Sequence, residues 1–455
     1  MPGLWGLLEI GRRALSAQST AMNVTSHNIA NANSPGYTRQ RVDLAATMPL
    51  KDMSGFLIGT GVSVAAIERL RDRFIDNQFR QTNSSLGSAT MRHTVLSQIE
   101  AGLSEPSENG IQALLTGFFN SFQELASHPE ESSARQAVLQ QANRLVSAFN
   151  RIAGTFTAQR MTVAEDATSK VNRINELTRR IAELNRQITN AQNAGNVPSD
   201  LMDQRDRALD QLSQYTSITA SLDSQGSMIV SIGGVMVAGN GTSVSLQSAV
   251  VSGVLKVSTT TGQEVNINGG ELGSALELYN TTIPEYMTKL DEMANALIAR
   301  VNAVHAAGYG LGNPPPTGIN FFTGSGAAGI AINTQISSNI NTIAASSTGA
   351  PGDNQTALAL FNISSEQLMG NNTLTLAQFY AAFVSGIGSA VSSAQGAGSG
   401  AELVLAQLSN QREMVSGVSL DEEMTNMIKF QRSFEAAARV VRTTDELIQT
   451  ILNMV

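Results

Sequence analysis

The chain has 455 residues, which is enough for two to four domains with hydrophobic cores. Only 15% of the residues are charged, 5% are aromatic and the net charge is -8; this acidic balance, with no basic stripe, argues against a nucleic-acid partner. The absence of cysteine excludes disulfides and thiolate metal sites, and no apolar run reaches the ~18 residues of a membrane span.

The first predicted element is a helix over residues 4–33. Leu8, Leu15, Met22 and Ile29 recur at seven-residue spacing, with small residues beside them, so we expect one face of this helix to pack against other helices. The segment does not have the charged-then-apolar order of a secretory signal. If the protein leaves the cell, we expect a route without a cleaved signal.

The helical pattern ends in a polar turn whose residues carry special backbone preferences. Asparagine tolerates the left-handed cap conformation, proline biases the preceding residue away from helix, and glycine permits a tight turn. The residues concerned are Asn28, Asn31, Asn33, Pro35, Gly36 and Tyr37.

A β-hairpin is predicted next, followed by long helices. Residues 38–44 alternate with period two, and the residues around Val62 and Val64 supply the partner strand. Apolar seams with steps of three and four then predict helix over 134–156 and 174–191. Because the seam slips by one residue between them, one long helix and two shorter ones both remain open.

The middle of the chain changes character after a helix predicted at 199–215. Short β-rich runs between 216 and 268 indicate a small β domain. Helix returns at 274–307, where Pro284 predicts a kink or a fresh start. The loop-rich stretch 309–354 either completes the β domain or forms a mobile surface region, and helices at 374–391 and 402–414 follow.

The last predicted element, residues 419–455, is a helix that opens with capping-box spacing between Ser419 and Glu422. Two interleaved apolar seams fill about four of every seven positions, more than a simple coiled-coil pair requires, so this helix needs several neighbours. Together with the first helix it predicts an assembly interface made of Leu8, Leu15, Met22, Ile29, Met424, Met427, Phe434, Val441, Leu447, Ile448, Ile451 and Leu452.

The two ends of the chain carry a family resemblance. The segments SHNIANANSPGYTRQRVDL and SGVSLDEEMTNMIKFQRSFEAAARVVRTTDELIQTILNM resemble those of the bacterial flagellar axial proteins of rod, hook and junction, and most of all the hook-associated proteins of the hook–filament junction. Ser34 stands where many relatives have threonine. Two unrelated segments in the right order at opposite ends make a specific signal.

The resemblance implies a mainly α fold with a β insertion, in a nested multidomain axial protein. Terminal helices form a coiled-coil-like inner domain, followed by a helical-bundle domain with a β-hairpin and a small β-rich outer domain. The predicted boundaries are 1–36 with 419–455 for the terminal domain, 37–215 with 269–308 and 355–418 for the helical core, and 216–268 with 309–354 for the outer domain.

The same resemblance implies a secreted structural protein that forms a ring between hook and filament after export, unfolded, by the flagellar type III pathway. Its expected partners are the hook protein, a second hook–filament junction protein, further copies of itself, and a cytoplasmic export chaperone that binds the C-terminal helix. The alternatives are a hook or rod protein, or an exported wall hydrolase that uses the terminal helices for docking.

Nothing in the sequence predicts catalysis. The four histidines have no metal-ligand spacing, and no hydrolase or phosphate-binding motif is present. The carboxylates at 421–423 are explained by a helix amino terminus. We therefore predict no catalytic, cofactor or metal site.

Overall fold

The computed structural model describes residues 3–51, 55–223 and 226–454. The fold is mainly α with several small antiparallel sheets, as predicted. The helices are α1 (Gly3–Asn31), α2 (Arg73–Leu103), α3 (Ile111–Ser127), α4 (Ser132–Asn193), α5 (Ser199–Tyr215), α6 (Gly270–Glu277), α7 (Ile283–Ala307), α8 (Gly326–Gly329), α9 (Thr334–Ser338), α10 (Gln355–Asn362), α11 (Leu376–Ser416) and α12 (Leu420–Asn453).

The strands form five small sheets in the described part of the chain. β1 pairs with β4, β2 with β3, β9 with β10 and β11 with β12, while β5 to β8 make a four-stranded meander. The strands are β1 (Gln40–Ala46), β2 (Leu50–Lys51), β3 (Leu57–Ile58), β4 (Val62–Arg69), β5 (Thr219–Leu222), β6 (Met228–Ile232), β7 (Val235–Gly239), β8 (Thr242–Ser243), β9 (Leu246–Val251), β10 (Val254–Thr259), β11 (Phe322–Thr323) and β12 (Ala331–Ile332). The predicted hairpin is therefore β1 with β4.

The long helix α4 resolves the choice between one helix and two, because it continues through the polar stretch at 158–170. Val163, Ala167 and Val171 are buried there at steps of four, so the buried face shifts around the helix without breaking it.

Two breaks predicted within helices do not interrupt the helices in the structure. A π-helical turn at Leu278–Thr282 lies between α6 and α7 with helical backbone angles on both sides, so the helix continues through it instead of starting afresh at Pro284, which lies in the first turn of α7. The two helices predicted at 374–391 and 402–414 are likewise one helix, α11. Ile387, Ala394 and Leu408 are buried along it at multiples of seven residues, and this packing offsets the cost of the intervening glycines.

The chain divides into two compact units. The first comprises residues 1–84, 174–245 and 401–455, and it contains both terminal helices, the β1–β4 hairpin, α5 and the β5–β8 meander. The second comprises residues 85–173 and 246–400, with a core of phenylalanines from α3 and the β11 region. The three-domain division drawn from the sequence remains a prediction. None of the described helices is long and apolar enough to cross a membrane.

Candidate assembly site

The terminal helices α1 and α12 pack against each other, and small side chains allow them to approach closely. A Cβ atom placed on Gly11 would lie 2.5 Å from Val441 Cγ2 and 3.8 Å from the backbone oxygen of Ala437. Ala17 and Ala21 of α1 are buried, as is Ala437 of α12. Gly11 thus lies in the contact with α12, and the other small residues beside the seam of α1 include Ala17 and Ala21, which are buried within the chain.

The large apolar residues predicted as the assembly interface are, in contrast, incompletely covered within one chain. Eight of them are half-buried and four are exposed, with Leu447 49% exposed. The half-buried ones are Leu8, Leu15, Met22, Ile29, Met427, Phe434, Val441 and Ile448; the exposed ones are Met424, Leu447, Ile451 and Leu452. Together these twelve side chains form what we call the outer apolar face.

Helix α12 begins where the sequence predicts. Ser419 is its N-cap, and the Ser419 hydroxyl accepts a hydrogen bond from the Glu422 amide at 3.5 Å. The sequence attributed the carboxylates of this first turn to the helix dipole alone. The structure gives Glu423 a further role, because its side chain is buried against the other end of the chain.

Asn28 lies at the centre of a buried polar cluster, and all of its hydrogen-bonding capacity is used. Its Oδ1 accepts from the Tyr37 hydroxyl at 2.8 Å and from the Gln40 amide at 3.0 Å. Its Nδ2 donates to the Gln40 carbonyl at 2.8 Å and to Glu423 Oε2 at 3.0 Å. One side chain therefore joins α1, the following turn, β1 and α12.

Arg39, the residue immediately before β1, completes this cluster. Its guanidinium donates to Glu423 Oε1 through Nε at 2.8 Å and reaches Glu422 Oε2 at 2.7 Å. The Glu423 carboxylate, only 2% exposed, is thus held by Asn28 and Arg39. We call Asn28, Tyr37, Arg39, Gln40 and Glu423 the Asn28 cluster.

The remaining residues of the family motif shape the turn after α1. Asn31 donates to the His27 carbonyl at 3.1 Å. Gly36 has a φ of +71°, and Arg207 lies so close that a Cβ there would be 2.5 Å from its Cδ; the Pro35 carbonyl accepts from Arg207 Nη1 at 2.7 Å. Asn33 is exposed.

His27 contacts the same turn from within the chain. Its Nδ1 lies 3.0 Å from the Tyr37 hydroxyl. Burial raises the pKa of Tyr37, as do the carboxylates of Asp200, Asp203 and Glu423, so the phenol stays protonated and able to donate.

A second buried network, which the sequence did not reveal, adjoins this site. We call it the arginine–aspartate cluster, and Thr38 connects it to the motif by donating its amide to Asp203 Oδ2 at 3.0 Å. Its ion pairs are Arg69–Asp203 at 2.7 Å, Arg69–Asp206 at 2.9 Å, Arg71–Asp76 at 2.6 Å, Arg71–Asp206 at 3.1 Å, Arg80–Asp210 at 2.8 Å, Arg412–Asp76 at 2.8 Å and Arg412–Asp210 at 2.8 Å, and the neighbouring Arg205 is buried with them.

Asp206 shows how strongly the arginines of this cluster act on a neighbouring carboxylate. Burial alone would raise the pKa of its carboxyl, but the positive charges of Arg71, Arg69 and Arg80 outweigh burial and hold the pKa below its ordinary value. From the sequence, the segment 203–210 resembles the charged face of a solvated helix, because its partners are far away in the chain. Arg69 and Arg80 lie about 130 residues earlier and Arg412 lies about 200 residues later. Only the alternation of arginine and aspartate in both segments hinted at pairing.

The arrangement is suited to holding chain segments together. The described residues contain no group of histidine, aspartate or glutamate side chains placed to bind a metal ion. The carboxylates of both clusters are engaged by arginines at close range. On the surface of the chain, the same region carries the large, incompletely covered side chains of the outer apolar face.

Comparison with known proteins gives consistent matches at both ends and in the middle. The family described as flagellar hook-associated protein FlgK helical domain matches residues 96–322. Residues 8–38 match the flagella basal body rod protein family, and residues 412–454 match the flagellar basal body rod FlgEFG protein C-terminal family.

Relatives extend this likeness over the full chain. The chain is 33% identical to flagellar hook-associated protein 1 of Bacillus subtilis, covering 98% of this chain and 97% of that protein. It is 25% identical to the Salmonella typhimurium protein of the same name, covering 98% and 99%. The flagellar hook junction protein FlgK of Burkholderia pseudomallei has a similar fold, with a TM-score of 0.68 and 17% identity over 75% of this chain and all of that one. The chain therefore belongs to the flagellar hook-associated protein 1 family.

Proposed function

We propose that this protein is a structural subunit of the bacterial flagellum that forms a ring between hook and filament and adapts one to the other. The observation that carries the proposal is the outer apolar face, which combines with family membership at 33% identity along the whole chain. Exposed leucine, isoleucine and methionine side chains in such number are typical of a surface that a partner covers.

The energetics favour a role in assembly. Complete burial of one such side chain stabilises a complex by ~1.5–3 kcal/mol, and a ring repeats that gain at every subunit. Within the chain, the small-residue contact and the Asn28 cluster hold α1 and α12 together, so their large side chains remain available to neighbours. A surface of this kind fits other amphipathic helices.

The partners follow from this position. We propose the hook protein on one side, a second hook–filament junction protein on the other, and copies of the chain itself around the ring. Before assembly the C-terminal helix, with Leu447, Ile451 and Leu452 exposed, is a suitable ligand for a cytoplasmic export chaperone. Export proceeds through the flagellar type III pathway with the chain unfolded.

The nested order of the sequence supports an axial arrangement. We propose that the terminal helices, 1–36 with 419–455, line the inner part of the ring and that the β-rich segments at 216–268 and 309–354 lie outward. No catalytic step is part of this function. A peptidoglycan zymogram tests that point, and a cleared band from the purified chain would favour the exported hydrolase instead.

A deletion strain and an imaging experiment test the proposal together. Cells that lack the protein should build hooks, carry no filaments and release filament protein into the medium. A tagged chain that restores filaments should label a single zone between hook and filament in electron micrographs. Label along the whole hook or rod would contradict the junction role and favour a hook or rod protein.

A further inference from the structure

A cavity of about 670 Å³ opens beside the arginine–aspartate cluster, inside the first compact unit. Its lining includes apolar side chains, among them Val197, which is 51% exposed. It also includes arginines, of which Arg80 and Arg205 are buried and Arg73 is exposed. We call this the arginine pocket.

Positive charge exceeds negative charge in the lining of this pocket. The lining carries five arginines against three carboxylates, namely Arg69, Arg71, Arg73, Arg80 and Arg205 against Glu68, Asp76 and Asp206. Arg69 shares part of its charge with Asp203, and Arg80 shares part with Asp210. Arg71 is likewise paired, with Asp76 and Asp206. The positive charge that the described aspartates leave over is therefore that of Arg73 and Arg205, and it favours an anion in the pocket.

Arg205 is the residue whose charge is least compensated. The residue is only 3% exposed, and its guanidinium donates to two neutral acceptors, Asn185 Oδ1 at 3.0 Å and the Gly226 carbonyl at 3.4 Å. Among the described residues no carboxylate lies within ion-pair distance of it, and its Nε has no hydrogen-bond partner. A buried guanidinium without a counter-charge is costly and is usually paired.

The same chain displays a segment with the complementary chemistry. Leu420, Met424 and Ile428 recur every four residues at the start of α12 and are 48%, 56% and 55% exposed. Asp421 lies beside them on the helix surface and is exposed, whereas the carboxylates of Glu422 and Glu423 are occupied by Arg39. An apolar stripe flanked by a carboxylate is complementary to a pocket lined by both apolar side chains and arginines.

We propose that the arginine pocket of one subunit receives the 420–428 face of a second copy of the chain, with Asp421 directed to the arginines and Leu420 and Met424 against Val197 and its neighbours. This inference rests on the proposed function, because it assumes that copies of the chain adjoin one another. A contact between two different surfaces of identical subunits is heterologous, so it propagates from copy to copy around a ring. It also gives Arg205 a counter-charge that the single chain does not supply.

A binding measurement on the whole chain tests the contact without requiring assembly. The probe is a fluorescent synthetic peptide of residues 417–432, and the readout is its anisotropy as full-length protein is added. We expect saturable binding with a Kd below about 1 mM, which suffices where neighbours are held at high effective concentration. Val197→Asp and Arg73→Glu, both at exposed positions of the pocket, should each weaken binding roughly tenfold.

Matched controls keep the test specific. Met161→Asp and Arg186→Glu make the same changes at exposed positions outside the pocket and should leave the Kd unchanged. Peptides with Leu420→Ser or Asp421→Asn should bind roughly tenfold more weakly. Absence of peptide binding, equal binding by the pocket variants, or binding of inorganic sulfate alone would overturn the proposal. A junction ring that still forms under any of these results would leave the proposed function standing.

Discussion

At the scale of single residues, Glu423 and Asn28 determine how the two ends of the chain meet. They lie 395 positions apart, both are almost fully buried, and each satisfies the other. A buried carboxylate is stable only when its oxygens are hydrogen-bonded, so the helix that carries Glu423 can dock only where Asn28 and Arg39 are in place. This cluster therefore fixes the position of α12 on α1.

Glu423→Ala should loosen the start of α12 without unfolding the rest of the molecule. Asn28 and Arg39 lose a charged acceptor, which costs about 1–3 kcal/mol of local stability. Trypsin should cleave faster at Lys429 and Arg432, and amide exchange in the first turns of α12 should accelerate. Glu422→Ala is the matched control, since Glu422 is mostly exposed and its pair with Arg39 is worth less than about 1 kcal/mol. Equal effects from both changes would contradict the role assigned to Glu423.

His305, near the end of α7 in the second compact unit, is a buried side chain with a hydrogen-bond partner for each ring nitrogen. Its Nδ1 lies 2.7 Å from the Ile319 carbonyl and its Nε2 accepts from the Ala344 amide at 2.9 Å, so the neutral ring is held with its proton on Nδ1. Burial lowers its pKa to about 4, and the nearby charge of Arg135 acts in the same direction.

This histidine should make the second unit sensitive to acid. Because its folded pKa lies below its ordinary value, the unfolded chain binds a proton between about pH 6.5 and pH 4 that the folded chain does not. Its contribution is fully present above pH 6.5 and is lost as the pH falls through this window, by up to about 3 kcal/mol. Urea unfolding at several pH values checks this: His305→Gln should be less stable at pH 7 but should lose less stability on acidification. An unchanged slope in the variant would count against it.

At the scale of elements, the terminal helices α1 and α12 have two kinds of surface, one of small buried residues and one of large, incompletely covered apolar residues. Small residues such as Gly11, Ala17 and Ala21 bring α1 close to its neighbours within the chain, and the larger side chains of the outer apolar face remain accessible. Close approach of two helix backbones requires small side chains at the contact. Bulky side chains then lie on either side of the contact line.

Ala21→Leu should separate this contact. Ala21 is completely buried, and three extra carbons there force the surrounding side chains apart at a cost of about 1–3 kcal/mol. The expected result is faster tryptic cleavage of α12, for instance at Arg439, at temperatures where the rest of the chain is intact. Ala30→Leu makes the same change at an exposed position of the same helix and should have no such effect. Identical digestion of the two variants would show that the contact tolerates expansion.

Sequence periodicity predicted helices such as α1, α5 and α12 and the β1–β4 hairpin, but it did not predict α11 as one helix, nor the contacts between elements. The spacing of Leu8 to Ile29 predicted the first helix correctly. It did not indicate that small residues beside this seam would be the ones buried within the chain. Similarly, Ser419 predicted the start of α12 correctly. The burial of Glu423, however, depends on Asn28 and Arg39, which lie near the other end of the chain. Long-range polar pairs have no periodicity, so only the folded geometry reveals them.

At the scale of the whole molecule, the chain returns to its beginning to complete the first compact unit. Three segments distant in sequence build this unit, and ion pairs such as Arg69–Asp203 and Arg412–Asp76 join them. The nesting of the sequence predicted that the ends meet. The arginine–aspartate cluster that binds the middle segment to them was not predictable, because its charges read as solvated helix faces.

We propose that the outer apolar face serves assembly and not the stability of the single chain. Leu447→Ala tests it most directly, because Leu447 is 49% exposed. We predict an unchanged thermal midpoint for the purified monomer, together with cells that have hooks and shed filament protein; Phe434→Ala should behave in the same way in cells. As a control, Leu209→Ala removes a fully buried leucine and should lower the midpoint through a loss of about 2–5 kcal/mol. A lowered monomer midpoint for Leu447→Ala, or filaments that remain attached in those cells, would contradict the account.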